Sequence, residues 1–124
     1  MENNRKFLKI KEDQLGVIRV ADEVVTIIAG LAATEVEGVS SMAGNITNEI
    51  VAKTGIKNLA KGVRVEVMDG IVTVDLSLNI KYGFAITEVS ANVQDRVRTV
   101  VETMTGLEVA TINVRIASVD MKNA

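Results

Sequence analysis

The sequence predicts an α+β protein. One mainly antiparallel sheet carries two long helices on one face, in the order β-α-β-β-α-β, with a short helical insertion before a central hairpin. Three observations carry this. Valine, leucine and isoleucine alternate with polar residues from Val63 to Tyr82 on both sides of an Asp69-Gly70 turn, which is strand periodicity around a hairpin signal. Two other stretches repeat apolar residues at spacings of three and four, which marks amphipathic helices. The strands alternate instead of running continuously apolar, so only one face of the sheet is covered.

Taken along the chain, residues 1–15 are polar and charged, with the cluster KFLKIK at Lys6 to Lys11. They read as a terminal tail or, more sharply, as a docking arm carrying Phe7, Leu8 and Ile10. The folded unit is expected over residues 16–120, with 121–124 as a second tail. Gly16 to Val20 (GVIRV) is a short strand candidate. Ala21 to Val36 reads as a helix, with Asp22 and Glu23 complementing the positive end of its dipole. Val24, Val25, Ile28, Leu31, Ala32 and Val36 form its expected buried face, and Gly38 is placed as a stop. The small residues Ala29 to Ala33 allow another backbone to approach, either the second helix or a dimer partner. Ser40 to Lys61 is the least regular stretch, with Asn45 as a candidate cap for a short helix bearing Ile46, Ile50 and Val51.

The hairpin is the strongest local signal. Counting outward from the turn pairs Val67 with Val72, Val65 with Val74 and Val63 with Leu76 on one face, and Arg64 with Asp75 on the other. A slip of one residue would oppose apolar to polar along the whole ladder. Gly83 ends the second strand. A helix follows from about Thr87 to Thr105, striped by Ile86, Val89, Val93, Val97, Val100, Val101 and Met104. Gly106 is its expected C-terminal stop, with Leu107 folding back on the last turn. A last strand, about Glu108 to Val119, turns Ile112, Val114 and Ile116 inward and Asn113 and Arg115 outward.

Composition narrows the chemistry. The chain has 124 residues, and nearly half of them are apolar. A chain of this size buries roughly two-thirds of its unfolded surface. Its aromatics are Phe7, Tyr82 and Phe84, so the core is aliphatic. It contains neither cysteine nor histidine. A thiol nucleophile, a Ser-His-Asp triad and the usual zinc sets are therefore excluded. No phosphate-cradling glycine motif and no D-x-D-x-D-G calcium loop occurs, and neither a cofactor nor a metal site is indicated. A net charge of −2 with interspersed signs gives no basic field for nucleic acid. The expected open sheet face carries Thr73, Asp75, Ser77 and Asn79, which cannot stack bases, and no two glycines form a G-x-x-G loop. The longest apolar run, Ile27 to Ala33, is too short to span a bilayer, and the first twenty residues lack a signal-peptide pattern. A cytoplasmic protein without membrane insertion is expected.

Several segments carry a family resemblance. IAGLAATEVEGVSSM (Ile28 to Met42), KGVRVEV (Lys61 to Val67), VDLSLNIKYG (Val74 to Gly83) and TEVSANVQDRVRTVVETMTGLEVATINVRI (Thr87 to Ile116) stand in one order and spacing. Together they resemble the alkaline shock protein family, the envelope stress response proteins of Gram-positive bacteria, over roughly residues 16 to 119. The resemblance implies a non-enzymatic cytoplasmic protein that works as a scaffold or adaptor. It also implies self-association, and attachment beneath the membrane through a separate membrane-anchored family member. Other members of the family sit beside genes of fatty-acid or central metabolism. The alternative reading is accordingly a regulator of a metabolic enzyme, such as one of fatty-acid synthesis, or a binder of a small apolar ligand. Lacking long charged extensions, this chain resembles the shorter, housekeeping-type members. The family supplies no catalytic residue to carry over. The candidate partner surface is the polar sheet face, Arg64, Glu66, Asp75, Lys81 and Arg115, together with Asn45, Lys53 and Lys57 of the irregular segment.

Overall fold

The computed structural model describes residues 19–43 and 61–121. Helix α1 spans Asp22–Thr34, strand β1 Val39–Met42, β2 Val63–Met68, β3 Ile71–Lys81, helix α2 Ile86–Thr105 and β4 Glu108–Asp120. The fold class is α+β, as expected. β3 is the centre of the sheet: it pairs antiparallel with β1 and β2 and parallel with β4. The parallel pair is the product of α2, because two adjacent parallel strands need a crossover between them.

The hairpin forms in the expected register, with Val67 opposite Val72, Val65 opposite Val74, Val63 opposite Leu76 and Arg64 opposite Asp75. Asp69 and Gly70 both have positive φ, 54° and 75°, as a type I′ turn demands. From there alternation divides β3 into two faces. Val72, Val74, Leu76, Leu78 and Ile80 are buried beneath the helices, whereas the residues between them are half-buried on the opposite face. Val89, Val93, Val97 and Val101 of α2 complete this layer. Gly106 ends α2 in the left-handed conformation, and Leu107 turns back into the core.

The start of the chain differs from expectation. Gly16–Ile18 lie outside the described residues, and Arg19 and Val20 belong to no strand. The sheet instead takes β1, which follows α1. Its two adjacent serines, Ser40 and Ser41, hid it: a β-bulge between Val39 and Ser41 interrupts the two-residue period that would have marked it. The short helical insertion expected around Asn45 also lies outside the described residues.

β1 and β2 share one edge of β3, end to end: Met42 faces Leu78 and Val63 faces Leu76. Ser77 joins them. Its carbonyl accepts from Ala43 N and its N–H donates to Gly62 O, both at 2.8 Å. β2 therefore resumes, at Gly62, the strand line that β1 leaves at Ala43. Gly62 is required at the re-entry, because at φ +74° a Cβ would overlap the Ala43 carbonyl oxygen.

The buried arc of α1 is also rotated from the expected one. Val25, Ala29, Gly30, Ala32 and Ala33 are buried, while Val24 and Leu31 are 46% and 47% exposed. Most of the buried positions are small, which lets α1 pack closely on α2 and the sheet, while Val24 and Leu31 are displaced outward. Ala29, Gly30, Ala32 and Ala33 thus serve packing within the chain. At the ends of the α2 stripe, Ile86 and Met104 are likewise exposed.

Candidate partner-binding surface

The face of the sheet away from the helices is built by the odd-numbered residues of β3 and their neighbours. Register places Glu66, Thr73 and Thr111 in one row across it, Arg64, Asp75 and Asn113 in the next, and Arg115 beside Ser77. Lys81 lies at the far end, opposite Asp120. Five candidate residues, Arg64, Glu66, Asp75, Lys81 and Arg115, thus come to one surface. Asn45, Lys53 and Lys57 lie outside the described residues.

Side-chain hydrogen bonds knit this face. Asn79 Nδ2 donates to Ser41 Oγ at 2.9 Å, and Ser118 Oγ donates to Asn79 Oδ1 at 2.7 Å, so one amide ties three strands. Asn113 Nδ2 donates to Asp75 Oδ1 at 2.8 Å, and Ser40 Oγ donates to Asp120 Oδ2 at 2.6 Å. Alternation in the sequence turns Asn79 and Asn113 outward, whereas no sequence signal marks Ser41 or Ser118. What the sequence does not show is that β1 arrives beside Asn79.

The Arg64–Asp75 pair forms in register but not as an ion pair. Among the described residues the ion pair recorded is Arg96 to Glu35, at 2.9 Å between α2 and the end of α1. Between Arg64 and Arg115 the face sinks into an open hollow of about 500 Å³, with Ala43, Gly62, Ser77 and Ala117 along it and Asp75 at its side. The hollow exists because small residues meet where β1 gives way to β2. A smaller depression of about 340 Å³ lies at the hairpin end between Glu66 and Ile71.

Chemically the surface offers hydrogen bonding and charge. Among the described residues no charged side chain is buried, and no group of three or more acidic, histidine or cysteine side chains is placed to hold a metal ion. No helix among them is long and apolar enough to cross a membrane.

Among the described residues, a four-stranded sheet with one helix-covered face and one polar, hydrogen-bonded face defines the class: a small α+β sheet protein with an open lateral surface. Residues 10–121 match the alkaline shock protein 23 family, described as having a cell envelope-related function, and the chain belongs to it. It is 37% identical to YqhY of Bacillus subtilis over 120 residues, covering 96% of this chain and 89% of that one. Spy1614 of Streptococcus pyogenes is 35% identical over 84% of this chain and 88% of its own length. YloU of Bacillus subtilis is 32% identical over 87% and 92%. Among solved structures, the chain titled MamM CTD H264A-E289A superposes with a TM-score of 0.48 at 14% identity, over 77% of this chain and 94% of that one.

Proposed function

We propose that this chain is a non-enzymatic interaction module, a scaffold or adaptor in the cell envelope-related work of its family, and that it docks protein partners on its open sheet face. The observation that carries the reading is the contrast between the two faces. The helix-covered face is a closed aliphatic core, whereas the other displays Arg64, Glu66, Asp75, Lys81 and Arg115 on a surface held in shape by inter-strand hydrogen bonds. Rigid, polar surfaces with charged margins suit specific and reversible protein contacts. Residues 16–120 act as the folded unit, between terminal tails. Attachment beneath the cytoplasmic membrane runs through a membrane-anchored partner, and self-association multiplies the contacts; Asn45, Lys53 and Lys57 also contribute to partner binding.

In-cell crosslinking followed by affinity capture and mass spectrometry tests this. Recovery of a small membrane-anchored protein together with many copies of the chain supports the scaffold. Recovery of a soluble biosynthetic enzyme without membrane material would replace it with metabolic regulation.

A further inference from the structure

We infer that the hollow between Arg64 and Arg115 is a clamp for an acidic side chain presented by an extended segment of a protein partner. The inference rests on the open sheet face being the docking surface, and names the chemistry of what docks there.

Two guanidinium groups border one concavity, and neither makes an ion pair with a described residue. Arg64 has a carboxylate directly opposite in register, that of Asp75, yet Asn113 from the other side of β3 donates to Asp75 Oδ1. Both arginines are exposed at the margin, and the hollow between them is lined mainly by the small residues Ala43, Gly62, Ser77 and Ala117, with Val63 and Asp75 beside them. A ligand atom can therefore reach the guanidinium forks without displacing a bulky side chain. Arginine presents a planar fork of donors that matches a carboxylate in two parallel hydrogen bonds.

Asp75 selects among anions. A phosphate carrying close to two negative charges would meet a carboxylate of like sign at the same hollow. A glutamate or aspartate side chain brings one charge. Its own backbone brings N–H donors, for which Asp75 Oδ2 is an acceptor. The set of two cations, one acceptor and a small-residue floor is thus complementary to an acidic peptide.

The test is fluorescence anisotropy of the full chain with a labelled peptide of alternating glutamate and glycine, compared with its glutamine counterpart and with inorganic phosphate as competitor. The glutamate peptide is expected to bind and the glutamine peptide not to. Arg64→Gln and Arg115→Gln should each weaken binding about tenfold, the loss of a hydrogen-bonded charge pair, with unchanged thermal unfolding. Ala117→Trp, which fills the hollow and leaves its charge alone, should abolish binding. Failure of the wild-type chain to bind, equal binding by Arg115→Gln, or displacement by equimolar phosphate overturns the clamp. Glu66→Lys and Lys81→Glu lie on the same face outside the hollow and separate the two readings. If they abolish partner capture while the peptide fails to bind, the clamp is wrong and the docking face stands. If the peptide binds but these variants capture partners normally, the clamp stands and the wider face is not the docking surface.

Discussion

At the scale of single residues, Gly62 shows how much one position can carry. It combines a positive φ with direct contact between backbones, since a Cβ there would overlap Ala43 O and lie 2.9 Å from Ser77 O. Gly62→Ala is expected to lower stability by about 2 kcal/mol or more, from backbone strain and the displacement of β1 from β2. Gly106 also has a positive φ, but nothing lies within 4 Å of its missing Cβ. Gly106→Ala should therefore cost only the left-handed penalty of about 1 kcal/mol. Urea denaturation of the two variants side by side checks the difference. Equal losses would mean that the contact with Ala43 relaxes freely. Both glycines could be read as punctuation; only the fold distinguishes a crowded one from an open one.

At the scale of elements, β4 poses the problem of an exposed strand edge. Among the described residues it pairs with β3 alone, and unpaired edges invite unwanted strand pairing. Side chains of α2 cover part of that edge. Gln94 Nε2 donates to Ile112 O at 3.0 Å, Arg98 Nε to Val109 O at 3.4 Å, and Val109 N donates to Glu102 Oε2 at 3.0 Å. These residues sit off the apolar stripe of the helix, where sequence alone assigns them to solvent. The double variant Gln94→Ala, Glu102→Ala is expected to lose about 1–2 kcal/mol, by leaving two backbone groups without partners. It should also associate more readily, which sedimentation velocity would reveal as a shift to larger species. Unchanged stability would show that water replaces the two side chains without penalty.

At the scale of the whole molecule the sheet is two-sided, and its faces should respond oppositely to mutation. Leu78 is fully buried beneath the helices, and Leu78→Ala should cost about 2–5 kcal/mol as lost transfer energy and a residual cavity. Lys81, three residues further along β3, is exposed at the end of the open face. Lys81→Glu and Glu66→Lys should leave stability within about 0.5 kcal/mol and still weaken partner capture. Thermal unfolding and affinity capture on the same variants test both halves. Large destabilisation by the charge reversals would make that face structural.

What the sequence alone determined was local. The hairpin register could be counted outward from Asp69-Gly70, because a two-residue turn leaves no slack and a slip would bury charge. Both helices were readable from their period, and β4 from its alternation. The family, too, was legible in the order of KGVRVEV and MTGLEV. The tertiary structure decided what depends on contacts distant in sequence. β1 joins the sheet through neighbours such as Ser41 and Asn79, 38 residues apart, and its bulge masks its own periodicity. The buried face of α1 follows Ala29, Ala32 and Ala33 instead of Leu31, since close approach to α2 favours small side chains over the most apolar ones. The polar face was foreseen as a row of charges, but its hollow arises only where β1 and β2 meet end to end at Ser77. Concavity belongs to the junction of strands, and no local pattern encodes a junction.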